Sequence, residues 1–264
     1  MVTIKTEKEI AKMRAGGKIL AQTLQAVAKI VKPGLKTEKL NDLATEIILQ
    51  AGAMPAFLGY DGFPASICVS INDEVVHGVP GEIKLKEGDI VGLDLGVLFP
   101  PENCRACSMV GGCGSEPGMF TDAAITVLVG KVKPEAERLV KAAKKSLDLA
   151  IAQIKPGARL GEIGFAIQQY AEAEGFAVVK ELVGHGVGHE LHEEPQVLNY
   201  GSKKEGLILK QGMTLAIEPM LTSGDWQVKR NKSGVYVTKD GSLSSHFEHT
   251  VAVTEKGCEI LTEA

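Results

Sequence analysis

The sequence predicts an α+β chain built from two related halves, and three observations carry that reading. Helical periodicity marks two helices followed by short strands, and then the same order again. The punctuation recurs with it. Lys32-Pro33-Gly34 returns as Lys155-Pro156-Gly157 at an offset of 123, and Leu85-Lys86-Glu87-Gly88 as Leu209-Lys210-Gln211-Gly212 at an offset of 124. The same offsets set acid on acid. Asp94 falls on Glu218, and Phe120-Thr121-Asp122 faces His246-Phe247-Glu248 at an offset of 126. Two copies are too few for a solenoid, so a closed pseudo-symmetric pair is expected. The whole of 1–264 then forms one domain, with halves at about 1–130 and 131–264.

The elements follow in order. Ile10, Met13, Gly17, Leu20, Leu24, Val27 and Val31 recur at three- and four-residue steps, one face of a helix that Lys32-Pro33-Gly34 ends. Thr37 is the expected N-cap of a second helix striped by Leu40, Leu43, Ile47 and Ile48 and closed near Gly52. Ser66–Ile71, Ile90–Leu98 and Phe120–Val129 are β-prone runs bounded by turn residues. Pro134 suits the first turn of a third helix, with a face at Leu139, Ala143, Leu147, Ala150 and Ile154. Ile163, Ile167 and Tyr170 mark a fourth, ending at Gly175. Strands are expected at Ala177–Leu182, Met213–Met220, Val235–Thr238, Phe247–Val253 and Glu259–Leu261.

Composition narrows the function classes. With 29 Lys+Arg against 33 Asp+Glu, the net charge is −4, which points neither to direct nucleic-acid binding nor to an acidic tail. No run of 18 apolar residues exists, so no membrane span is expected. The first residues lack the apolar core of a signal peptide, and five cysteines do not make a paired framework. A cytoplasmic monomer is the expectation. Five of the six histidines fall between His185 and His249, and the sixth is His77.

The candidate chemistry lies in the duplicated register. Asp94 and Glu218 stand inside apolar strands, and Asp122 and Glu248 take the matching places. A carboxylate in a core strand is costly unless paired or bound to a metal. Gly184-His185-Gly186-Val187-Gly188-His189-Glu190-Leu191-His192 offers three imidazoles on a tight loop or strand bend. Its His189-Glu190-Leu191-His192 falls one residue short of the helical zinc-protease motif. His77 stands alone in Ser70-Ile71-Asn72-Asp73-Glu74-Val75-Val76-His77-Gly78. Carboxylates that bridge, joined by imidazole, suit a hard-to-borderline divalent pair able to polarise a carbonyl and hydrolyse an amide or ester.

These motifs resemble the type I methionine aminopeptidases. The resemblance runs from the first helix to Val253 through Ser70-Ile71-Asn72-x-x-x-x-His77-Gly78, Asp89-Ile90-Val91-x-Leu93-Asp94, Gly184-His185-Gly186-x-Gly188, His192-Glu193-x-Pro195, Ile217-Glu218-Pro219 and Glu248-His249-Thr250. It implies the pita-bread fold, two pseudo-twofold helix-helix-strand halves around an antiparallel sheet. It implies two divalent ions (cobalt, manganese, iron or zinc) held by Asp94, Asp122, His185, Glu218 and Glu248, with Asp122 and Glu248 bridging. His77 would position the amide and leaving group, His192 would contact the substrate carbonyl, and Glu218 would shuttle protons. Tyr60, Phe63 and Cys68 match the wall of the methionine pocket. Leu191 stands where an aromatic is usual, and the pocket tryptophan is replaced near Gly234-Val235.

The implied substrates are the N-termini of nascent polypeptides, with transient ribosome association. Two other readings stay open: a proline-directed aminopeptidase P or prolidase relative, and a non-catalytic binding module on the same fold. A stretch at 100–118 is inserted between Asp94 and Asp122, carrying Cys104-x-x-Cys107 and Cys113. A flexible insertion with free thiols is the expected reading; a zinc or redox role is the alternative.

Overall fold

The computed structural model describes residues 2–101 and 117–263, so the cysteines of the 100–118 insertion lie outside the described residues. The described chain runs α1 (Glu7–Ile30), α2 (Glu38–Gln50), β1 (Met54–Pro55), β2 (Cys68–Ile71), β3 (Glu74–Val76), β4 (Ile90–Phe99) and β5 (Met119–Leu128). It continues with α3 (Pro134–Ile151), α4 (Leu160–Ala173), β6 (Ala177–Val178), β7 (Gly184–Gly186), β8 (Glu193–Val197), β9 (Thr214–Ile217) and β10 (Met220–Thr222). The last strands are β11 (Val228–Arg230), β12 (Tyr236–Thr238), β13 (Ser244–His246), β14 (Glu248–Val253) and β15 (Cys258–Ile260).

The starts of α1 and α3 have a visible reason. Thr6 caps α1 in a reciprocal capping box with Glu9, and Pro134 occupies the first turn of α3. Thr37 does occupy the N-cap position of α2, but its side chain does not cap. The hydroxyl instead accepts from the Gly81 N–H and donates to the Gly81 carbonyl, tying the helix start to a distant loop.

The main sheet is antiparallel and runs β1-β4-β5-β14-β9-β7-β8, with β2 also on β4 and β15 also on β14. The duplicated order is explicit in it, because β4-β5 of the first half meets β14-β9 of the second along the β5–β14 seam. Strand alternation divides the sheet into two faces. Val91, Leu93, Leu95 and Val97 of β4 and Ala123 of β5 pack under α1 and α2. Leu215 and Ile217 of β9 pack under α3 and α4. Asp94, between Leu93 and Leu95, and Asp122, next to Ala123, point to the opposite face of the sheet.

Several expected strands are shorter than the pattern implies; Ser66–Ile71, for one, pairs only from Cys68. Met213–Met220 divides into β9 and β10, because Pro219 has no N–H to give a ladder. Ala177–Leu182 keeps only β6, after which the chain leaves the ladder for the cavity wall. Among the described residues no helix is long and apolar enough to cross a membrane.

Candidate metal centre

Register alone gathers the acids. Asp94 of β4 lies opposite Ala124, and so does Glu248 of β14 from the other side. Asp122 is two residues before Ala124 and therefore on the same face. On β14 the pair His249–Ile217 puts Glu218 opposite Glu248, just past the end of β9. His185 of β7 lies opposite Ala216, which shares a face with Glu218. Four strands and the end of a fifth thus bring one imidazole and four carboxylates to a patch floored by the Ala124 methyl group.

The flanking sequence makes this approach possible. A Cβ on Gly184 would strike the Ala216 carbonyl, and one on Gly186 would strike the Glu194 carbonyl. Glycines on both sides of His185 therefore let β7 lie against its neighbours, and the segment forms a strand, with the bend deferred to Gly188 at φ +147°. Thr250 stitches the seam: its hydroxyl accepts from the Asp122 N–H at 2.9 Å and donates to the Asp122 carbonyl at 2.8 Å. His185 Nδ1 donates to the Gly186 carbonyl at 2.9 Å, which leaves the Nε2 lone pair for the site.

The electrostatics are those of a site built for a cation. Nε2 of His185 is 3.8 Å from Asp122 Oδ2 and 3.6 Å from Glu218 Oε1. Ligand atoms of Asp122, His185 and Glu248 all lie within 4.8 Å of one another. Buried Oδ1 atoms of Asp94 and Asp122 have no hydrogen-bond partner. Burial, and then repulsion among the carboxylates, pushes Asp122 and Glu248 well above the usual carboxylate range. Burial likewise pushes Asp94 up to about 7, although His246 opposes the shift. Among the described residues the ion-pair partners of this cluster are imidazoles, with no Lys or Arg to compensate the charge. Oxygen-rich, bare and mutually repelling donors with one imidazole fit a divalent metal.

A cavity of about 790 Å³ opens over the cluster, lined by all eleven residues that the resemblance assigns to the site, whereas His189, the third imidazole of that segment, does not line it and pairs with Glu9. Phe57, Cys68 and Leu191 form one buried apolar group with Phe63 against it. Gly96 leaves room for the Phe57 ring, since a Cβ there would meet it at 2.9 Å. Tyr60 lines the same cavity but turns its hydroxyl to His192 Nδ1, 2.8 Å away. The rings of His192 and His185 meet edge to face at 4.5 Å. His77 holds a left-handed backbone at φ +64°, unusual for a residue with a side chain, and its ring meets Tyr236 edge-on at 5.7 Å. The low-dielectric cleft wall pulls both His77 and His192 below the usual imidazole range.

One residue of the site escaped the sequence reading. His246, buried at the end of β13, places Nε2 3.5 Å from Glu218 Oε2. Thr126 fixes its backbone from both sides, donating to the His246 carbonyl and accepting from its N–H. The signal was available, because His246 stands two residues before Glu248, the period of a strand.

The sequence pattern of metallopeptidase family M24 matches residues 11–255. The chain belongs to that family. Within family M24, it is 45% identical to a methionine aminopeptidase of Salmonella typhimurium, over 99% of this chain and 94% of the relative. The crystal structure of methionine aminopeptidase from Thermotoga maritima superposes with a TM-score of 0.91 at 44% identity, with full coverage of both chains. A prolidase from Pyrococcus furiosus shares the fold, with a TM-score of 0.72 at 21% identity, and this chain spans only 65% of it. The chain is a metal-binding hydrolase of that family, and Asp122, His185 and Glu248 form a group able to hold a divalent ion.

Proposed function

We propose that this chain is a methionine aminopeptidase that removes the initiator methionine from nascent proteins and peptides. The observation that carries the reading is one cavity joining the carboxylate cluster to the Phe57, Phe63, Cys68 and Leu191 group, with His77 and His192 between. Residues 1–264 act as a single catalytic domain. Asp94, Asp122, His185, Glu218 and Glu248 would hold two divalent ions, of manganese, iron, cobalt or zinc. Bound metal supplies Lewis-acid polarisation of the scissile carbonyl and makes water nucleophilic near neutral pH.

The side chains supply the rest. The apolar group receives the methionine side chain, and a thioether with three rotatable bonds suits a wall of mixed aromatic, aliphatic and thiol surface. Tyr60 donates to His192 Nδ1, which leaves the proton on Nε2, facing the substrate. From there His192 donates a hydrogen bond to the carbonyl oxygen as negative charge develops on it. His77 orients the amide. Glu218, with His246 behind its second oxygen, takes the proton from the attacking water and returns it to the departing amine. The chain works in the cytoplasm as a monomer, on polypeptide N-termini at or near the ribosome.

The test is hydrolysis of Met-Ala-Ser against Ala-Pro-Ala by metal-reconstituted protein, with Asp122→Asn as control. Metal-dependent release of Met, lost in the variant, is the expected result. Cleavage of the proline peptide alone would move the chain to the prolidase-like reading.

A further inference from the structure

The turn that carries His192 is held by a part of the chain nearly two hundred residues away. Between β7 and β8 the backbone reverses through Val187–His192, and β8 opens with Glu193. The Glu193 carboxylate faces back into this turn. Its Oε1 accepts from the backbone N–H of His189 at 2.5 Å and of Glu190 at 3.0 Å. Its Oε2 accepts from Lys5 Nζ and from Thr3 Oγ1, each at 2.5 Å. Lys5 also contacts the Thr3 hydroxyl. The ion pair is buried, with 1% of the Lys5 side chain and 6% of the Glu193 side chain exposed.

A buried charge pair on a surface-entering segment is not explained by stability, because desolvation offsets most of the Coulomb gain. Its geometry has a clearer use. The Lys5 backbone N–H is fixed on the Gly212 carbonyl at 2.7 Å, so the ammonium stands on a rigid base. Its stem lies where a Cβ on Gly188 would be, and that glycine also needs its positive φ. A second tie runs parallel, from Glu9 on the first turn of α1 to His189 Nε2 at 2.7 Å. Phe120 N–H holds the Gly188 carbonyl from β5 at 2.7 Å. Burial works against the Glu193 charge, yet the donors from Lys5, Thr3 and the Glu190 backbone hold it below the usual carboxylate range. These ties come from the N-terminal arm, the first turn of α1 and β5, and the turn they hold delivers Leu191 and His192 to the cavity.

We infer that Lys5 and Glu193 are positioning residues for His192, setting the imidazole against the substrate carbonyl from the N-terminal arm. The inference rests on the proposed role of His192. The Lys5 ammonium anchors Glu193, Glu193 fixes the His189 and Glu190 amides, and those amides set the backbone from which His192 reaches the cavity.

A double-mutant cycle on Mn²⁺-loaded protein with Met-Ala-Ser tests it. Lys5→Met lowers kcat about 10- to 100-fold, the cost of misplacing a group by about 1 Å. KM stays within about twofold, because the lost contact belongs to the transition state. Metal content per chain is unchanged, and the His192 ring signal in the NMR spectrum of the metal-free protein shifts. Added to His192→Ala, Lys5→Met lowers kcat no further. Thr3→Val, which removes one donor from the same carboxylate and spares the ion pair, gives a fall of about 2- to 5-fold and the same non-additivity. Losses that multiply, or a folded Lys5→Met chain with undiminished kcat, would overturn the inference. If His192→Ala alone leaves kcat unchanged, the fault lies in the role given to His192.

Discussion

Ala124 is the floor of the candidate metal centre, and replacing it with valine separates the two faces of the sheet. Ala124 is 1% exposed, belongs to none of the apolar clusters among the described residues, and lies opposite both Asp94 and Glu248. Directly opposed residues of antiparallel strands keep their Cβ atoms about 4.5–5.5 Å apart. The two methyl groups added by valine therefore enter the space where the carboxylates converge. The backbone itself accepts valine, which suits a strand. Overpacking costs about 1–3 kcal/mol, which in a chain of this size lowers Tm by about 2–4 °C per kcal/mol.

The functional loss should be larger than the thermal one. Ligands tolerate displacements of only about 0.5 Å, so metal per chain falls at least ~10-fold. The control is the neighbouring residue. Ala123, 1% exposed, faces the core under α1 and α2. Ala123→Val carries the same thermal loss but keeps its metal and its turnover. The assay is metal analysis after dialysis, a thermal melt, and Met-Ala-Ser hydrolysis on both variants. An Ala124→Val chain with full metal and turnover, or a folded Ala123→Val chain without metal, would refute the placement of these carboxylates on one face.

Other outcomes follow from the same geometry. Leu93, fully buried under the N-terminal helices, loses about 2–5 kcal/mol on truncation to alanine, read as a lower urea midpoint at unchanged m. Chelation of the metal lowers Tm and readdition restores it. A free ion at 100 times its Kd stabilises by about 2.7 kcal/mol, and no change in Tm on chelation would mean that the folded chain binds no ion. Glu9 gives a pH dependence. Burial works against its carboxylate, but hydrogen bonds from His189 and Thr6 outweigh it and hold the group at about 2, against 4.5 in the unfolded chain. The stability it adds is present above about pH 4.5 and lost as pH falls toward 2, so the gap in urea stability between wild type and Glu9→Gln closes over that window. A gap independent of pH would show that the carboxylate does not act through its charge.

The fold was legible where one residue type repeated at a fixed period. The stripes of α1 and α3 and the acids standing in apolar strands announced themselves, and Asp94, Asp122, Glu218 and Glu248 meet at one patch because alternation leaves them no other face. What escaped depended on pairs distant in sequence. His246 matters through Glu218 on another strand, and Lys5 through Glu193, 188 residues away. Lysine and glutamate are ordinary surface types, and nothing local says that this pair is buried. Thr37 shows the same limit, because its hydroxyl had a choice between its own helix and Gly81, and tertiary packing decided.

The β5–β14 seam has a kinetic consequence. Asp94 and Asp122 come from one side of it, and His185, Glu218 and Glu248 from the other, so neither half alone can assemble the proposed ligand set. Pairings this distant in sequence close late in folding, after local helices have formed. During refolding, recovery of metal uptake should therefore lag recovery of helical circular dichroism. Enzymatic turnover then serves as a census of molecules whose two halves have docked in register, since a chain with well-formed helices and a slipped seam would be silent.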